Sequence, residues 1–83
     1  MIEIYGNVSC EWCIKAKELC KQYNLKYEYK SLDKDTVLME FMKKFPSART
    51  VPQITWNGKY IGGYSELAEE ITNTINNYGD GKI

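Results

Sequence analysis

Along the chain the apolar positions change period several times, and each change predicts a new element. Ile2-Glu3-Ile4-Tyr5 alternates, the period of a strand, and Gly6-Asn7-Val8-Ser9 after it is a turn-forming run. From Cys13 apolar side chains recur at Ala16, Leu19, Cys20 and Tyr23, the three-and-four spacing of one helical face, which predicts a helix ending near Asn24 with Ser9 as its N-cap. Lys26-Tyr27-Glu28-Tyr29-Lys30 alternates again as a second strand. A helix-length connection between two short strands predicts a parallel, right-handed βαβ unit. Val37, Leu38, Phe41, Met42 and Phe45 share one face of a second helix, capped by Asp33 or Asp35 and stopped by Pro46. Val51 to Trp56 and Lys59 to Ile61 are β-rich runs around Asn57-Gly58, two residues that tolerate positive φ, so they should pair as an antiparallel hairpin. Gly62-Gly63-Tyr64-Ser65 then leads into a third helix carrying Leu67, Ala68, Ile71 and Ile75, and Tyr78 to Ile83 reads as a frayed tail.

Composition narrows what such a chain can be. Its 83 residues are read as one domain, 1–83, near the lower limit for folding on a single core. Eleven basic residues balance eleven acidic ones, so neither a nucleic-acid surface nor a polybasic membrane anchor is expected. Met1 to Tyr5 lacks the basic and apolar regions of a signal peptide, and no apolar run reaches membrane-spanning length. The expectation is a cytoplasmic monomer.

That compartment bears on the cysteines. Cys10, Cys13 and Cys20 are an odd set, and a reducing cytosol does not support a structural disulfide framework. There is no histidine and no second Cys-x-x-Cys to complete a zinc site, so no metal is expected. The Cys10–Cys13 pair falls where the first strand meets the first helix. Unpaired backbone N–H groups and the helix dipole favour a thiolate there, which makes Cys10 the candidate nucleophile. Cys13, one turn on and facing inward, can close a disulfide once Cys10 is bonded to substrate. Cys20 lies on the buried stripe and reads as a small hydrophobe.

The element order β-α-β-α-β-β-α is the thioredoxin-type layout, and three blocks within it resemble the glutaredoxin family: Cys10-Glu11-Trp12-Cys13, Arg49-Thr50-Val51-Pro52-Gln53-Ile54, and Asn57-Gly58-Lys59-Tyr60-Ile61-Gly62-Gly63. The resemblance runs from Ile2 to about Asn77. It implies an α/β thioredoxin fold with a central four-stranded mixed sheet, order 2-1-3-4, flanked by helices. It also implies a glutathione-dependent dithiol reductase with no bound cofactor, glutathione being reductant and co-substrate.

By the same likeness Pro52 follows a cis bond that turns the Val51 backbone toward glutathione, with Thr50 beside it. The Gly62-Gly63 pair lets the backbone come close to a ligand, the N–H groups of Tyr64 and Ser65 at the next helix start can hold a carboxylate, and Trp12 forms an apolar wall. Expected partners are glutathione and disulfide-containing proteins. Ribonucleotide reductase is among them, because the short chain resembles compact bacterial and phage members. Glu11-Trp12 stands where many members carry Pro-Tyr.

Three other readings fit parts of the chain. A small redoxin could draw on thioredoxin reductase, although Thr50-Val51-Pro52-Gln53 and Gly62-Gly63 favour glutathione. A copper or zinc chaperone also places Cys-x-x-Cys after a first strand, but its usual β-α-β-β-α-β order differs and gives Val51-Pro52 no role. An iron–sulfur carrier would use Cys10 with glutathione and leave Cys13 spare.

Overall fold

The structure is a computed structural model and describes residues 1–81. Its elements are β1 (Ile2–Gly6), α1 (Glu11–Gln22), β2 (Tyr27–Ser31), α2 (Asp35–Lys44), β3 (Gln53–Trp56), β4 (Lys59–Gly62) and α3 (Tyr64–Gly81). The strands form one four-stranded sheet in the order β2-β1-β3-β4, with β1 parallel to β2 and antiparallel to β3, and β3 antiparallel to β4. This is the thioredoxin fold, as the element order predicted.

Alternation in β1 divides the core between the two faces of the sheet. Ile2 and Ile4 point to the side covered by α1 and α3, where they join Ala16, Cys20, Ile54, Leu67 and Ile71 in one buried cluster. Cys20 is therefore part of the core, and burial pushes its thiol up to about 11. Tyr5 points to the opposite face and is fully buried, its ring 6.0 Å from Phe41 and 5.5 Å from Phe45. Around the rim of that face the Tyr5 hydroxyl donates to Glu40 at 2.9 Å, and Lys30 and Lys44 reach Glu40 at 3.2 and 3.1 Å.

Several local expectations are corrected. Cys10, not Ser9, caps α1: its backbone is extended, and its sulfur accepts the Cys13 N–H as a serine oxygen would. Helix α1 stops at Gln22, before the Asn24 boundary, where Asn24 itself takes a φ of 56°. Neither Asp33 nor Asp35 caps α2. Lys34 occupies that position without a side-chain bond, and Asp35 lies in the first turn, where its charge suits the helix dipole. On α2 only Phe41 is buried, while Leu38 and Met42 are 39% and 61% exposed. Phe41 and Phe45 pack their rings on Tyr5, while the flanking apolar positions turn to solvent.

The third strand starts at Gln53 rather than Val51, because Pro52 has no N–H to give a ladder. Asn57 and Gly58 do turn the hairpin, at φ 54° and 84°. Helix α3 continues to Gly81, past the tail expected from Tyr78. The side chain of Ile75 lies outside the described residues, as do Lys82 and Ile83.

Candidate active site

The turn from β1 to α1 delivers both cysteines to one end of the sheet. The Cys10 N–H donates to the Asn7 carbonyl at 3.5 Å, which holds Cys10 at the mouth of the helix. Its sulfur is partly exposed and accepts the Cys13 N–H at 3.2 Å. The thiol of Cys10 also donates to the Val51 carbonyl at 3.9 Å, tying the helix start to the segment before β3. Cys13, by contrast, has no exposed surface. Burial, followed by its hydrogen bond with Cys10, pushes its thiol up to about 11, against the opposing pull of the Asn7 backbone and the Tyr29 hydroxyl. One sulfur thus faces solvent and the other sits behind it with its proton firmly held.

Beside Cys10 the bond between Val51 and Pro52 is cis. Trp12, Thr50, Val51, Pro52, Gly63, Tyr64 and Ser65 line one shallow groove of about 180 Å³ together with Glu66. All seven expected binding residues therefore come together, although they belong to three separate stretches of the chain. Trp12 is half exposed, and its ring lies 5.3 Å from that of Tyr64, so the two form an aromatic wall. Lys15 sits 4.5 Å over the Trp12 ring and 3.8 Å from Glu11. The larger hollows beside Lys44, Phe45 and Met39 include no cysteine.

Five contributors were absent from the expected set. Glu66 accepts the Gly63 N–H at 2.8 Å and closes the first turn of α3 from within; a carboxylate three residues past the cap is a legible signal for this role. Its side chain fills the space beside Gly62, which stands at φ 128°. Gln53 donates to the Thr50 carbonyl at 2.8 Å and accepts the Tyr60 hydroxyl at 2.6 Å, bracing the segment before the cis bond. Gly6, Asn7 and Tyr29 surround Cys13, and their meeting depends on strand register that no local pattern carries.

The arrangement suits sulfur exchange in two steps: a reachable sulfur at a helix N-terminus, a second sulfur one turn behind it, and a groove offering backbone polar groups and an aromatic wall. Comparison with known proteins agrees with that chemistry. The glutaredoxin family model matches residues 2–61. Glutaredoxin 1 of Rickettsia conorii is 37% identical over 68 residues, spanning 80% of this chain and 67% of that protein. The mitochondrial glutaredoxin-2 of Homo sapiens is 35% identical over 72 residues, 78% of this chain but only 42% of that longer protein. Among solved structures, a buckwheat glutaredoxin–glutathione complex superposes with a TM-score of 0.72 at 25% identity, over 88% of this chain and 69% of that one. Family match, relatives and a cysteine pair set at the start of α1 lead to one conclusion: this chain belongs to the glutaredoxin family.

Proposed function

We propose that the protein is a glutathione-dependent dithiol oxidoreductase that reduces glutathione mixed disulfides and protein disulfides. The observation that carries this reading is the pairing of a partly exposed Cys10 sulfur at the α1 N-cap with a fully buried Cys13 behind it. In the first step the Cys10 thiolate attacks one sulfur of the substrate disulfide, forming a mixed disulfide and releasing the other sulfur as a thiolate. With a glutathionylated substrate the glutathione stays on Cys10, and a second glutathione thiolate releases it as glutathione disulfide. With a protein disulfide, Cys13 attacks the Cys10 sulfur, the substrate leaves as a dithiol, and two glutathiones later reduce the Cys10–Cys13 bond.

The groove supports glutathione as the reductant. The Val51 backbone beside the cis bond offers peptide-like pairing to a short peptide, and Tyr64 and Ser65 at the start of α3 offer N–H groups to a carboxylate, the Gly63 N–H being held by Glu66. The test is reduction of a small glutathione mixed disulfide, coupled to glutathione, glutathione reductase and NADPH, beside a second reaction fed by thioredoxin reductase. Turnover with glutathione is the expected result. Turnover with thioredoxin reductase alone would overturn the assignment of the groove.

A further inference from the structure

We propose that the Tyr29 hydroxyl is the hydrogen-bond donor that stabilises the Cys13 sulfur as it attacks the mixed disulfide on Cys10, which makes Tyr29 a positioning residue for the resolving step. The inference rests on the dithiol reading above.

It starts from a difficulty. Cys13 is completely buried, so water cannot solvate the negative charge its sulfur must carry to become a nucleophile. The protein has to supply the donors. Parallel pairing of β1 with β2 sets Tyr29 opposite Ile4, on the sheet face that α1 covers. Gly6, two residues past Ile4 on that face, lacks a side chain, and the space is taken from two sides. A Cβ on Gly6 would stand 2.3 Å from the Cys13 sulfur and 2.9 Å from the Tyr29 oxygen. Both polar atoms therefore press against the same glycine.

In the resting protein the phenol donates to the Asn7 carbonyl at 2.5 Å. Rotation about its C–O bond redirects the proton to the sulfur while the ring stays in place. The ring lies under Lys17, whose ammonium sits 4.7 Å from its centroid and makes the phenol a better donor. Burial, then the charge of Cys13, holds the Tyr29 hydroxyl well above the ordinary tyrosine value, so it keeps its proton and acts as a donor rather than a base. The charged or titratable groups around this pair are Cys10 and Lys17 from α1 and Asp33 beyond β2, while β1 and its turn contribute the Gly6 and Asn7 backbone.

The step balances without an outside oxidant. Cys13 loses its proton to solvent, its sulfur bonds to the Cys10 sulfur, and the bond from Cys10 to the substrate sulfur breaks. The substrate leaves with the electron pair as a thiolate, so the cysteine pair is oxidised and the substrate reduced. Tyr29 is unchanged at the end.

One equivalent of 2,2′-dithiodipyridine separates the steps. Cys10 releases a first thiopyridone on attack, and Cys13 releases a second on resolution. Tyr29→Phe keeps the ring beneath Lys17 and is expected to slow the second release about tenfold relative to the first, the equivalent of about 1.4 kcal/mol. The pH at which the second release accelerates should also move upward, a shift that mere loosening of the core would not produce. As a second variant, 3,5-difluorotyrosine at position 29 retains the hydroxyl as a stronger donor and should raise the ratio, while near-ultraviolet circular dichroism checks the fold of both. A ratio and pH profile within twofold of wild type in both variants would overturn the role of Tyr29 and leave the dithiol reading intact. Release of a single equivalent by the wild-type protein would instead remove the dithiol reading, and this inference with it.

Discussion

Gly6→Ala separates a steric requirement from a conformational one. Gly6 does not occupy the left-handed region, so the new methyl acts only through its neighbours: the Cys13 sulfur at 2.3 Å, Cys13 Cβ at 2.9 Å and the Tyr29 oxygen at 2.9 Å. Each is well inside van der Waals contact. The sulfur ends a short side chain with no exposed surface, and the Cys13 Cβ moves only if α1 moves. Tyr29 is tethered to the Asn7 carbonyl. Forcing a methyl into such a site costs about 1–3 kcal/mol. For a domain of this size that is a fall in Tm of about 10 °C, taking roughly 4–8 °C per kcal/mol.

Two other glycines calibrate the value. A Cβ at Gly63 would meet the nearest Glu66 oxygen at 3.4 Å and the Pro52 carbonyl at 3.6 Å, so Gly63→Ala should change stability by less than about 0.5 kcal/mol. Gly58 has open space but a φ of +84°, so Gly58→Ala should cost about 1 kcal/mol through the backbone alone. Urea and thermal melts followed by far-ultraviolet circular dichroism rank the three. If Gly6→Ala melts within about 2 °C of wild type, the close approach of Cys13 to β1 is wrong, and with it the crowding argued for Tyr29.

The remaining predictions concern the thiols, the groove and the ionic rim. Cys10→Ser should abolish all activity, whereas Cys13→Ser should lose protein-disulfide reduction and keep deglutathionylation; equal loss in both assays would refute the division of labour. Cys20→Ala should leave turnover unchanged and cost about 1 kcal/mol by denaturant melt, and a folded but inactive protein would count against its purely structural place. Trp12→Ala removes half of the aromatic wall, worth about 0.5–1.5 kcal/mol, and should raise KM for glutathionylated substrates about two- to tenfold; an unchanged KM would take Trp12 out of the groove. Glu40 is held down at about 2 by the Tyr5 hydroxyl and then by Lys44 and Lys30. A carboxylate whose folded value is depressed stabilises the fold at any pH above its unfolded value, about 4.3, and loses that contribution as pH falls toward 2. Its side chain is 36% exposed, which keeps the effect under about 1 kcal/mol, and Glu40→Gln should flatten the acid side of the stability profile by that amount.

Most of the architecture was legible along the chain because its signals are local. Period-two and period-three-and-four spacing marked the seven elements in order, Asn57-Gly58 marked the hairpin, and Cys-x-x-Cys at a strand-to-helix junction marked the chemistry. Element ends were less legible. A sulfur could replace a serine oxygen as the α1 cap, and Pro52 cut β3 short, each by a competition between adjacent groups that composition does not rank.

What only the tertiary structure decided depends on residues far apart in sequence. Leu38 and Met42 obey helical spacing as well as Phe41 does, yet of the three only Phe41 is buried, because it is the one whose ring packs on Tyr5 across the sheet face. The groove draws on α1, the segment before β3 and the start of α3, three stretches brought together by sheet order β2-β1-β3-β4. The meeting of Tyr29, Gly6 and Cys13 needs both the parallel register of β1 on β2 and the seating of α1 on that face. A shift of one residue would turn Tyr29 to the opposite side, because successive strand side chains alternate faces. Periodicity reports which face of its own element a side chain occupies, and only packing between elements decides what that face meets.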